Sequence, residues 1–153
     1  MSLEDFQSLI GEVTGAISGK EVSGALADEL NARFPAGGAT FKSIQAACEA
    51  AVAEGWMCDR EMGGIKFGRV IKDIDGFSVD VVQMKDVVGP HHRHPNGEVD
   101  MVMPLSGDAE FDGSGAGWVV YGPDTAHRPT VSGGEALVLY LLPGGAIEFT
   151  GQD

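Results

Sequence analysis

Basic residues are scarce in this sequence. Ten Lys and Arg stand against 23 Asp and Glu, a formal charge of −13. So acidic a surface repels phosphate backbones and anionic headgroups, which argues against nucleic acid and membranes as partners. An anionic small molecule would need its own local cation. Long apolar runs are also missing: no stretch of about 18 apolar residues occurs, so no membrane span is expected. The opening MSLEDF is acidic where a signal peptide would be basic, and a cytoplasmic location is the expectation. Cysteine is limited to Cys48 and Cys58, read as two reduced thiols in a chain without an export signal. No repeat of domain-building length is visible beyond a hairpin rhythm.

What is present divides the chain in two. Its 153 residues and 43% hydrophobic content suit one domain with one core and an added arm. Leu3, Phe6, Leu9, Ile10, Val13, Ala16 and Ile17 make one helical stripe over 3–17. Gly11, Gly15 and Gly19 along it read as tolerated glycines. A second helix is expected over 21–33, capped by Ser23 or the Gly19-Lys20 turn and ended by Pro35-Ala-Gly-Gly. A third, alanine-rich, runs from Thr40 to Glu54 and stops at Gly55. Residues 1–60 are thus an α-helical arm. From Gly64 the chain turns into short β runs: 65–71, 77–85, 98–104, 109–111, 118–121, 127–131, 136–142 and 146–149. Asp75-Gly76, Asp112-Gly113, Gly133-Gly134 and Gly144-Gly145 supply turn signals between them. This predicts an antiparallel sandwich or barrel over 61–153. The glycine-rich segment from Gly113 to Gly117 lacks a lysine and a following helix, and reads as a turn rather than a phosphate loop.

The chain has four histidines, and three of them lie in GPHHRHPNGEVDMVMPLSG, from Gly89 to Gly107. His92 and His94 are two apart, so on a strand both rings leave one face and His91 the other. A Pro95-Asn96-Gly97 turn signal follows, then Glu98 and Asp100 on one face of the next strand, with Val99, Met101 and Met103 on the other. Folded back as a hairpin, these strands bring two imidazoles and a carboxylate together, a donor set for a borderline divalent ion such as Zn, Fe, Mn, Ni or Cu. His127, just past Gly122-Pro123-Asp124, could reach the same cavity. Surface or hydrogen-bonded histidines, and a solvated Glu98, are the plain alternatives.

The β half resembles the cupins, small jelly-roll barrels with a metal site in the mouth. Their first motif has His-x-His, a carboxylate after three or four residues, and a glycine seven beyond that carboxylate. His92-x-His94 and Glu98 fit the first part, whereas Gly107 stands seven after Asp100. The second motif, Pro-x-Gly-x-x-His, is approximated by Gly122-Pro123-Asp124-Thr125-Ala126-His127. The resemblance implies that His92, His94, Glu98 and His127 are metal ligands, with Asp100 as a substitute ligand or a group behind them. Over nearly the whole length, the helical arm followed by HHRHPNGEVD, GAGWVVY, AHRPTVSGG and ALVLYLLPGGAIEF is similar to the 4-hydroxylaminobenzoate lyase group of nitroarene-degrading bacteria. That resemblance implies conversion of 4-hydroxylaminobenzoate to 3,4-dihydroxybenzoate with release of ammonia.

In such a site His92, Glu98, Asp100 and His127 are the candidate catalytic groups, acting as proton shuttle, cation stabiliser or base toward water. A metal, if held, would be Zn, Fe, Mn or Ni, and no nucleotide cofactor is expected. A small aromatic acid needs a cation: Arg69, Arg93 and Arg128 are the candidates, with Arg60 also open, although Arg93 and Arg128 alternate away from the histidines. Trp118, Tyr121, Phe67 and Phe111 could form an aromatic wall. Two other readings remain open at this stage: a metal-dependent cupin dioxygenase or isomerase acting on another small acid, and a non-catalytic ligand-binding cupin. A homodimer is expected, with the arm covering an exposed strand edge.

Overall fold

The computed structural model describes residues 2–151; positions 1 and 152–153 of the expected arm and barrel lie outside them. Helix α1 spans Leu3–Ile17. The Ser2 side chain caps it by accepting the Asp5 N–H at 3.1 Å, and it buries Phe6, Ile10, Val13, Thr14 and Ile17. Helix α2, Gly24–Arg33, starts three residues later than the apolar spacing suggests, with Ser23 at its cap position but making no side-chain cap bond. Helix α3, Ala39–Glu54, ends at Gly55, whose φ of 89° is the left-handed conformation a glycine stop provides. No helix among the described residues is long and apolar enough to cross a membrane.

Among the described residues ten strands follow: β1 (Arg60–Met62), β2 (Ile65–Ile74), β3 (Phe77–Val88), β4 (His92–His94), β5 (Glu98–Pro104), β6 (Glu110–Phe111), β7 (Gly117–Tyr121), β8 (Thr125–His127), β9 (Thr130–Pro143) and β10 (Glu148–Phe149). They form two antiparallel sheets. The larger runs β1-β2-β3-β9-β5-β7 with β6 on β9, and the smaller runs β10-β4-β8. The architecture is a cupin-like jelly-roll barrel with an N-terminal helical arm.

Three expectations are corrected. The run 127–131 is two strands, because Pro129 has no N–H to continue a ladder and the chain changes sheets across Arg128-Pro129. Gly133-Gly134 is not a turn. Both glycines lie inside β9 with φ of 75° and 145°, where the register against β3 skips between Lys85 and Val87, so they make a bulge. Finally, β4 and β5 do not pair as a hairpin. Pro95-Asn96-Gly97 carries the chain from the small sheet to the large one, and the strands face each other across the barrel.

The large sheet is apolar on both faces. Val79, Val81, Val99, Met101, Met103, Leu137, Leu139 and Leu141 pack with Phe6, Ile10, Leu30, Phe41 and Ile44 of the arm. Val82, Val102, Val138, Tyr140 and Leu142 fill the barrel side with Phe111 and Val131. Hence 136–142 reads as an unbroken apolar run rather than an alternating one. The arm is a second layer on the sheet's outer face, and it also reaches an edge. The Asn31 amide of α2 donates to the Trp118 carbonyl at 3.0 Å and accepts the Trp118 N–H at 2.9 Å, so a side chain stands where a further strand would pair with edge strand β7.

Candidate metal centre

Strand β4 alternates as its sequence requires: His92 and His94 are buried, while Arg93 between them is half-exposed. His127 of β8 pairs directly with His92 of β4, so its ring leaves the same face of the small sheet. Glu98 enters from the first position of β5, in the facing sheet, and is fully buried. One ligand atom from each of His92, His94, Glu98 and His127 lies within 4.8 Å of the others.

The rings of His94 and His127 are held from behind through Nδ1. Glu98 Oε2 is 3.4 Å from both His92 Nε2 and His127 Nε2 and abuts His94 Nε2. His92 Nε2 and His127 Nε2 are 3.1 Å apart. Behind the cluster, His94 Nδ1 lies 3.0 Å from the Thr125 hydroxyl, which donates onward to the Gly122 carbonyl at 2.6 Å. His127 Nδ1 lies 2.6 Å from Asp112 Oδ2. Three Nε2 atoms thus converge on one carboxylate oxygen, while Glu98 Oε1, fully buried, accepts from no donor among the described residues. A buried carboxylate with an unused oxygen and three imidazole nitrogens crowded toward it are what a divalent cation would satisfy. The residues fit such an ion.

Electrostatics separates the carboxyls. Burial pushes Glu98 upward, but hydrogen bonding with His127, His92 and His94 outweighs it and holds Glu98 well below the usual carboxylate range. Asp100, on the same face of β5 and fully buried, goes the other way: burial, then the adjacent Glu98 charge, raise it well above the ordinary value. Neither Asp100 oxygen accepts from a donor among the described residues, and a hydrogen bond with Glu98 raises Asp100 further. Burial lowers His127, but its bonds to Asp112 and Glu98 prevail and lift it to about 9. Burial and the hydrogen bond to Asp112 push the Tyr121 phenol up.

The other candidates are placed as follows. The Tyr121 ring is 4.4 Å from that of His127 and 5.5 Å from that of His94, so it belongs to the wall of the cluster, as does Phe111, 6.1 Å from His127. Trp118 does not. It is buried against Phe41 of the arm, and its indole N–H donates to the Phe34 carbonyl at 2.9 Å. Arg69 is engaged by Asp80 at 2.8 Å and the Gly145 carbonyl at 3.3 Å. Arg93 bridges Asp124 and Glu148 outside the barrel. Arg128, half-buried, follows His127 directly, and Arg60 is exposed on β1. His91 points away, to Thr150. The sequence reading missed Asp112 and Thr125: Asp112-Gly113 signals a turn, and only the tertiary register shows that its carboxylate reaches a histidine. Phe149, 65% exposed, has its ring 5.9 Å from that of His92.

Residues 8–149 match the family model described as "PnbB: 4-hydroxylaminobenzoate lyase". Two curated relatives carry the name 4-hydroxylaminobenzoate lyase. The one from Nocardioides sp. (strain LMS-CY) is 31% identical over 132 residues, covering 78% of each chain. The one from Pseudomonas putida is 30% identical over 144 residues, covering 80% of this chain and 81% of its own. Among solved structures, an RmlC-like cupin protein from Ralstonia eutropha JMP134 is similar at a TM-score of 0.41 and 16% identity, over 54% of this chain and 57% of its own. Oxalate oxidase in complex with glycolate is similar at 0.43 and 16%, over 59% and 57%.

Proposed function

The chain belongs to the 4-hydroxylaminobenzoate lyase family, and from that membership we propose that it is a lyase converting 4-hydroxylaminobenzoate and water to 3,4-dihydroxybenzoate and ammonia. The observation that carries the reading is the buried His92–His94–Glu98–His127 cluster with the fully buried Asp100 carboxyl on the same strand face. A divalent ion held by those four residues would supply Lewis acidity toward the hydroxylamine oxygen.

The chain's own groups account for the proton movements. Burial and the adjacent Glu98 charge raise Asp100 well above the ordinary carboxylate range, which suits it to hold a proton and give it to the departing hydroxylamine oxygen. Breaking the N–O bond releases water and leaves a cation delocalised over nitrogen and ring. The Asp100 carboxylate so formed offsets that charge and accepts a proton from the water that adds at the ring carbon beside the C–N bond. A second water replaces the imine nitrogen and frees ammonia, and loss of a ring proton restores aromaticity as the catechol. Two waters enter and one leaves, and the N–O bond is the only oxidant the balance needs, so oxygen plays no part. Tyr121 and Phe111 supply aromatic surface beside His127.

The test is an anaerobic assay with 4-hydroxylaminobenzoate and metal-analysed protein, following ammonia and 3,4-dihydroxybenzoate together. The reading expects equal amounts of both, lost in His92→Ala and Glu98→Ala and reduced about 10²–10⁴-fold in Asp100→Asn. No turnover by metal-replete wild type, or a requirement for oxygen, would overturn it.

A further inference from the structure

Asp112 takes no part in the chemistry above, yet three hydrogen bonds meet on it directly behind the cluster. It follows β6 in a tight turn, with φ of 50° before Gly113 at 84°, a backbone state in which Asp and Asn are the commonest non-glycine residues. Oδ1 accepts the Thr130 N–H at 2.9 Å. Oδ2 accepts from the Tyr121 hydroxyl at 2.5 Å and lies 2.6 Å from His127 Nδ1. An ionised carboxylate only accepts, so the His127 Nδ1 facing it carries hydrogen. In the neutral ring that a metal ion would bind, the His127 Nε2, 3.4 Å from Glu98 Oε2 and 3.1 Å from His92 Nε2, is then the nitrogen left to donate a lone pair.

We infer that Asp112 is a positioning residue that fixes His127 with Nδ1–H outward and Nε2 presented to a metal ion, with Tyr121 and the Thr130 amide holding the carboxylate in place. This rests on reading the cluster as a metal centre. His94 is set the same way by a neutral group: Thr125 spends its hydroxyl hydrogen on Gly122 and is left to accept from Nδ1. Partners of this kind orient a metal-binding imidazole and fix its tautomer.

Asp112→Asn separates this role from a merely structural one. Asparagine tolerates the positive φ as aspartate does, so the turn survives. The Thr130 N–H needs an acceptor, which places the amide oxygen at the Oδ1 position and the amide NH₂ where Oδ2 was. That NH₂ can only donate to His127 Nδ1, so the imidazole hydrogen moves to Nε2 and points into the cluster.

The experiment is a Co²⁺ titration of metal-free wild type, Asp112→Asn, Asp112→Glu, Tyr121→Phe and His127→Ala against a competing chelator, recording the visible spectrum. Wild type should bind one equivalent. Asp112→Asn should lose affinity by about 10–100-fold and, once saturated, give the spectrum of His127→Ala, with an unfolding midpoint in the metal-free state near that of wild type. Asp112→Glu should restore part of the affinity and the wild-type spectrum. Tyr121→Phe carries the test if Asp112→Asn fails to fold, and should weaken binding without changing the spectrum. Wild-type affinity and spectrum in Asp112→Asn, or in its place an unaffected Tyr121→Phe, overturns the inference. A wild type that takes up no cobalt overturns the metal centre along with it. None of these outcomes depends on turnover, so failure of the lyase assay is read separately.

Discussion

Glu98 and Asp100 stand two positions apart on β5, are both fully buried, and are shifted in opposite directions, Glu98 toward its charged form and Asp100 toward its neutral one. Hydrogen bonding with three imidazoles outweighs burial at Glu98 and holds it well below the usual carboxylate range. At Asp100 burial, then the Glu98 charge and a hydrogen bond with Glu98, act the other way and raise it well above the ordinary value. The strand's period of two brings both carboxyls to one place, and the histidines favour the negative charge on Glu98.

The pairing predicts how stability depends on pH. The unfolded chain releases the Asp100 proton near pH ~4, whereas the folded chain retains it to much higher pH. Above that value the unfolded state binds fewer protons at this site, so raising the pH favours unfolding. Metal-free wild type should lose stability relative to metal-free Asp100→Asn by up to about 1.4 kcal/mol per pH unit until folded Asp100 titrates. Urea denaturation of both proteins from about pH 4 to 7 measures the difference. A difference independent of pH would mean that Asp100 is ionised in the fold.

The same cluster predicts stabilisation by metal. An ion that binds only the folded chain adds about 2.7 kcal/mol at a free concentration of 100 times Kd, roughly 5–10 °C for a chain of this length. Thermal unfolding with Zn²⁺, Mn²⁺, Fe²⁺ and Ni²⁺ should show such a rise with at least one ion, reversed by EDTA and absent in His94→Ala and Glu98→Ala. An unchanged midpoint with all four would argue against the centre.

Much of this was legible in the sequence, for identifiable reasons. The boundaries of α1 and β5 follow from apolar spacing, and His92, His94, Glu98 and Asp100 follow from the period of a strand. What escaped depends on tertiary register. Pro95-Asn96-Gly97 announces a change of direction, but the same residues serve a hairpin or a crossing between sheets. Gly133-Gly134 supplies positive φ to a bulge as readily as to a turn. Trp118 lies on a strand with apolar neighbours on both faces, so alternation could not tell arm from barrel. Asp112 gains its role only because β6 and β9 bring it beside Thr130 and His127.

The cysteines should be chemically silent in the native protein. Cys48 and Cys58 are free and buried. Burial, then the negative charge of Asp59, pushes the Cys58 thiol up to about 12, and burial, then Cys58, raises Cys48 further. Reactivity follows thiolate population, so a disulfide reagent at pH ~8 should find neither thiol in native protein and both in urea. Rapid labelling of either without denaturant would mean that the arm opens on that timescale.

Asn31 should carry stability out of proportion to its size. Its amide satisfies both the N–H and the carbonyl of Trp118 on edge strand β7. Asn31→Ala leaves both groups without that partner, a cost of about 1–3 kcal/mol. Gly117 reports on the same contact, because a Cβ there would stand 2.9 Å from Asn31 Oδ1 and the residue has φ of 141°. Gly117→Ala should therefore displace the Asn31 amide as well as strain the backbone. If the two act through one contact, the double variant must lose less than the sum of the singles, since a hydrogen bond already broken cannot be broken again. Equilibrium unfolding of the three variants gives the coupling directly, and strict additivity would show that Asn31 stabilises the arm in some other way than by pairing with β7.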